Sequence, residues 1–219
     1  MTGLVIASDL TTEPGTRFSS THVWNDLDEE WAITVGKARR FRPVIDQLDL
    51  PHTAFVAWGS VGIAHIVPDS HFFQFHDDGE LAIIIAAHDG FVSKWQDPLP
   101  DAPIGDLVAF YPDNPHRFYV RRGDMWALGS GLLDDLLMRP EIWLFETPLD
   151  WLRAGRDGLC VLDWRRGIAP IVSLGRRLNV QNAAFGQTVE RRSRAYLDSL
   201  MPEIFVDASF GFGAARSGE

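Results

Sequence analysis

The chain has 219 residues, 46% of them apolar, and carries 20 Lys+Arg against 30 Asp+Glu for a net charge of −10. It is long and apolar enough to bury a sizeable core as one large domain or two small ones, while its negative charge repels phosphate backbones and argues against general nucleic-acid binding. The single Cys160 cannot form an internal disulfide and no Asn-x-Ser/Thr acceptor occurs, so nothing points to an oxidising compartment and a cytoplasmic location is expected.

The opening MTGLVIASDLTTEPG has a four-residue apolar run and no basic leader, so neither a signal peptide nor an anchor is expected. The stretch from Pro51 to Pro68 lacks charged residues but is interrupted by Gly59, Ser60, Gly62 and His65, too short and too broken for a membrane span. Acidic residues dominate the first 100 positions, 14 against 6 basic, whereas positions 150 to 219 hold 10 basic against 8 acidic.

These patterns predict an α+β chain: a β-rich, mostly antiparallel, acidic part over residues 1–129, an alternating α/β part over 130–208, and a glycine-rich tail over 209–219. A helix is expected within Glu29 to Leu48, although Gly36 and Pro43 weaken the pattern. TAFVAW and VGIAHIV flank Gly59-Ser60, and FFQF and ELAIIIAA flank His76-Asp77-Asp78-Gly79, the signature of hairpins. LVAFYP, HRFYVRR and MWALG continue the rhythm, with turns at Asp113-Asn114-Pro115 and at Gly123-Asp124.

In the second part, Ser130 can cap a helix running through Leu132, Leu133, Leu136 and Leu137 that must stop near Arg139, because Pro140 follows. EIWLFE reads as a strand. Thr147-Pro148-Leu149-Asp150 then starts a short helix, with a capping hydroxyl, proline in the first turn and a carboxylate three residues after the cap. GLCVLDW reads as a buried strand and the stretch after it is undefined. Ala183 to Leu200 is the clearest helix, with Phe185, Val189, Tyr196, Leu197 and Leu200 on one side and Arg191, Arg192 and Arg194 mostly on the other. EIFVD, ending at Asp207, closes as a strand.

Three constellations are candidates for chemistry. If FFQF pairs with LAIIIAA, His71 comes beside His88, His65 can join them and Asp89 can add a carboxylate, a set that would hold a divalent metal. The spacing matches no tight metal signature, and turn-forming Asp and Gly with strand-end histidines explain it equally. Four apolar runs end in aspartate, and in α/β sheets carboxylates at adjacent strand ends hold magnesium for phosphoryl chemistry. Asp163 and Asp207 are the best such pair, read as neighbours on parallel strands. Among eight tryptophans, Trp24 and Trp95 sit between polar neighbours, HVWND and SKWQD, and read as interface anchors, whereas Trp143 and the others lie in apolar runs and read as core. Arg191, Arg192 and Arg194 form a separate basic patch.

Neither a nucleophile elbow nor a phosphate loop is present, Cys160 reads as an inert core thiol, and Arg122-Gly123-Asp124 reads as a hairpin turn. Two functions stay open: an intracellular interaction or regulatory protein whose partner is another protein, and a magnesium-dependent phosphoryl-transfer or hydrolytic enzyme using Asp163 and Asp207. Nothing in these residues sets the oligomeric state.

Overall fold

Residues 26–52, 54, 61–89, 103–132 and 138–201 are described by the computed structural model. The chain is α+β. Helix α1, Asp26–Ala38, opens with Asp26, Asp28 and Glu29 and closes with Lys37, charges that oppose the helix dipole at both ends. Gly36 is tolerated because its position faces open space, and Pro43 lies in the first turn of α2, Arg42–Asp46, where its missing N–H costs nothing. A 3-10 turn, Arg39–Phe41, joins the two.

Five strands follow: β1 Gly62–Asp69, β2 Phe72–Phe75, β3 Glu80–His88, β4 Ile104–Tyr111 and β5 Asn114–Val120. They close into a barrel in the order β1-β2-β5-β4-β3. The expected pairing of FFQF with ELAIIIAA does not occur. β2 pairs with β1 through a turn at Ser70-His71, with Ile66 opposite Phe75, and β1 also pairs with β3, with Gly62 opposite Ile84. β1 therefore lies between the two segments, because Ser70 adopts a positive φ of 57° that closes a tight turn before β2. Closure of the barrel comes from a parallel contact, Phe72 opposite Val120.

β1, β3 and β4 bury residues on both of their sides, whereas β2 and β5 are largely open. Ala64, Ile66, Ala82, Ile84, Leu107 and Ala109 cluster with Leu27 and Trp31 of α1. Residues of the opposite parity, among them Ile63, Ile83, Ile85, Val108 and Phe110, share a core with Ile45, Leu48 and the rest of the chain.

β6, Ala127–Leu128, leaves the barrel, contrary to the expected continuation of one antiparallel sheet. It pairs with β8, Leu159–Val161, in a second sheet of order β6-β8-β7-β9, where β7 is Glu141–Phe145 and β9 is Arg177–Val180. β7 is parallel to both β8 and β9, the arrangement that crossover helices impose. Those helices are α3 Pro148–Arg153 and α4 Trp164–Ser173, and α5 Ala183–Leu200 follows β9. Ser130 starts a 3-10 turn rather than capping it, since its hydroxyl donates to Ala127 O; residues 133–137 lie outside the described residues. Thr147 caps α3 as expected: its hydroxyl accepts from Asp150 N at 3.1 Å and donates to the Asp150 carboxylate at 2.6 Å.

The passage from barrel to sheet is built on Asp106. Its carboxylate is fully buried and accepts from five backbone N–H groups: Leu107, Arg121 and Arg122 at Oδ1, and Gly123 and Asp124 at Oδ2, all within 2.7–3.1 Å. Gly123 supplies the positive φ of 79° that lets the loop curl around it. Arg122-Gly123-Asp124 is thus a turn between two sheets and not the turn of a hairpin.

Replacing Asp106 by Asn removes a charged acceptor and sets an amide donor against two or three N–H groups. It should lower unfolding free energy by about 3 kcal/mol or more; a loss under about 1 kcal/mol in urea titration would show that the loop closes without the carboxylate. Thr147→Ala removes one cap and should cost about 1 kcal/mol in the same titration, and no loss would mean that Pro148 and packing alone start α3.

Candidate functional site

Strict alternation along β7 decides what the second sheet offers. Ile142 and Leu144 point to the side covered by α4 and α5, clustering with Ile171, Leu174, Phe185 and Val189. Phe145 points the other way, into the core shared with α3 and the barrel. Trp143 has the parity of Phe145 but lies beyond the reach of that cover. It is 45% exposed, correcting its assignment to the core.

Trp143 is nonetheless held. Its ring stacks on Phe145, with centroids 6.3 Å apart and an interplanar angle of 18°. Gly158 has a φ of 130°, and a side chain there would meet Trp143 and Phe145, so only glycine permits this approach. The carbonyl of Gly158 accepts the indole N–H of Trp151 at 3.0 Å, and Trp151 is itself buried in α3.

The neighbours on this face are polar and ordered. In register, Glu141 lies opposite Arg177 and Trp143 opposite Asn179. Arg177 pairs with the Glu141 carboxylate at 3.3 Å, and the Asn179 amide donates to it at 2.6 Å. An ion pair between Arg139 and Asp157 ties the entrance of β7 to that of β8. Met138, just before β7, is 86% exposed. The result is a half-exposed indole on the sheet, beside the paired polar side chains of Glu141, Arg177 and Asn179.

The histidines do not converge. His65 lies opposite Leu81, so His88 is seven residues farther along β3, roughly 23 Å away at strand rise. His71 is beyond the other end of β1, its ring edge-on to Phe72 and Phe118. His65 donates to Gly79 O at 2.9 Å in the turn that also holds His76. His88, paired with Ile104, lines a small void with Gly129 and Trp151, and Asp89 follows it, its N–H bonded to Pro103 O. The physical reason is the position of β1 between β2 and β3, which sends His71 and His88 to opposite ends. Among the described residues, no three His, Cys, Asp or Glu side chains are grouped to hold a metal ion.

Asp163 does stand at the end of β8, but its carboxylate caps α4, accepting from Arg165 N at 2.8 Å. Asp207 lies outside the described residues. With strand order β8-β7-β9, the crevice where the connections diverge lies between the ends of β7 and β9. Glu146 and Asn182 stand there, 3.3 Å apart, with Asn182 capping α5 through Phe185 N. Cys160 is fully buried, and burial together with the Asp150 charge pushes its thiol up, consistent with an inert core residue.

Arg191 and Arg194 are exposed on α5, with Arg194 paired to Glu190; Arg192 lies over the Trp164 ring at 4.9 Å. Trp24 and Trp95 lie outside the described residues. Among those described, no helix is long and apolar enough to cross a membrane. No family model, curated protein or solved structure matches the chain.

The two tryptophans on either side of Gly158 should behave oppositely. Trp151→Ala should cost about 3–5 kcal/mol as a core truncation, and Trp143→Ala about 1 kcal/mol or less as a surface one. Equal losses in chemical denaturation would place Trp143 in the core after all.

Proposed function

We propose that this chain is an interaction protein whose partner, another protein, seats on the open face of the second sheet with Trp143 as the anchor. The observation that carries the reading is the half-exposed indole, pre-ordered by its stack on Phe145 and set beside Glu141, Arg177 and Asn179. Binding energy at protein interfaces concentrates in a few such residues, tryptophan foremost, where a large rigid ring is desolvated inside a polar rim. Little ordering entropy remains to be lost when the ring is already held.

Trp24 and Trp95 remain further candidate anchors on the strength of their polar sequence flanks. The alternative, metal-assisted catalysis by Asp163 and Asp207, loses support from the engagement of Asp163 as a helix cap.

The test is quantitative capture from a native lysate on immobilised wild type and Trp143→Ala, with the melting temperature measured on both. Recovery of a specific partner should fall about 30-fold, corresponding to about 2 kcal/mol, while the melting temperature stays nearly constant. A partner retained equally by both proteins would remove Trp143 as the anchor.

A further inference from the structure

Helix α5 uses only part of its circumference. Phe185 and Val189 are buried against the second sheet, on the face opposite Trp143, and Arg192 covers Trp164 beside them. On another side, Ala183, Gln187, Glu190, Arg194, Leu197 and Met201 follow each other in steps of four and three, the spacing that makes one straight stripe along a helix. Every one of them is exposed. Leu197 is 49% and Met201 71% open to solvent at the helix end.

We infer that a second copy of this chain docks along this stripe, helix against helix and antiparallel. Read backwards, the stripe complements itself about a point between Glu190 and Arg194. Glu190 then faces the partner's Arg194, Gln187 faces the partner's Leu197, and Ala183 faces the partner's Met201. Each bulky apolar residue meets a smaller or more polar one, and each charge meets its opposite. A parallel alignment would set Glu190 on the partner's Glu190 and Arg194 on the partner's Arg194. Within one copy Arg194 already bonds Glu190 at 2.9 Å, and both side chains are about 70% exposed. Two such pairs related by a two-fold axis make a four-charge network, in the manner of the flanking charges that set orientation in coiled coils. An 18-residue helix is about 27 Å long, so the contact is small for a specific interface and the dimer is a reversible one.

Sedimentation velocity on the full chain from about 1 to about 100 µM, the range such an interface implies, tests the inference. Wild type should pass from monomer to dimer. Glu190→Arg and Arg194→Glu should each weaken dimerisation roughly tenfold or more, because two like-charge contacts replace two opposite ones, with helicity and melting temperature preserved. An equimolar mixture of the two single variants should recover the dimer, since one copy then carries two positive charges and the other two negative. Recovery in the mixture separates pairing between copies from the pair within one helix, which mixing cannot repair. A wild type that stays monomeric throughout the range, a dimer indifferent to both reversals, or a mixture no tighter than its components would each overturn the antiparallel dimer.

Discussion

The buried carboxylate of Asp106 is the constraint on which the architecture turns. Between β5 and β6 the backbone leaves one ladder before it enters the other, and the N–H groups freed there must be satisfied. Asp106 meets that demand with one side chain, collecting the N–H groups of residues 121–124 as well as that of Leu107. The same loop is gripped from other directions. Arg121 forms a bidentate pair with Glu30 of α1 and Arg122 reaches Asp26, while Arg166 of α4 donates to the carbonyls of Gly123 and Asp124. The amino-terminal helix, the barrel and the second sheet therefore meet at four residues.

Behind that junction lies a continuous apolar core. Ile83, Ile85, Val108 and Phe110 of the barrel pack with Leu128, Phe145, Trp151 and Cys160 of the sheet and its helix. This packing covers one half of the sheet's near face and leaves the other half open, which is why Phe145 is buried and Trp143, two residues before it, is not. Arg156 is caught in the same region: it is almost wholly buried, burial lowers its guanidinium to about 9, and it stacks over Trp151 at 5.6 Å. The candidate interface is thus an outcome of where the barrel ends.

Local chemistry made much of the chain legible. Thr147-Pro148-Leu149-Asp150 announces α3 because a capping hydroxyl, a pre-set φ and a first-turn carboxylate all act within four residues. The extent of α5 follows from the helical spacing that starts at Phe185 and Val189 and from Pro202, which ends it; the Asn182 cap is not read from the sequence, and Leu197 and Leu200, expected on the Phe185 side, are exposed. Helix α4 lies in the stretch that the sequence leaves undefined, and it holds Gly167 and Pro170, two residues unfavourable inside a helix. Gly167 is required there by Trp126 and Val161, whose side chains leave no room for a Cβ, and that pressure comes from distant residues.

The alternation of EIWLF sets Trp143 and Phe145 on the side opposite Ile142 and Leu144; that Phe145 is covered and Trp143 is not could not be drawn from it. In the same way, the residues of His71 to Gly90 determine two strands and a turn, but whether those strands pair depends on a third competing for the same edge. What this sequence determined by itself is therefore a set of elements whose ends are written in side chains within a turn of each other: strands β1 to β5, β7 and β8, the cap of α3 and the extent of α5; the expected strands TAFVAW and EIFVD lie, but for Ala54, outside the described residues. Strand order, the joining of two sheets at Asp106 and the half-exposed indole were decided only in the tertiary structure. Each depends on backbone groups and surfaces far apart in the chain meeting, and no local preference encodes such a meeting.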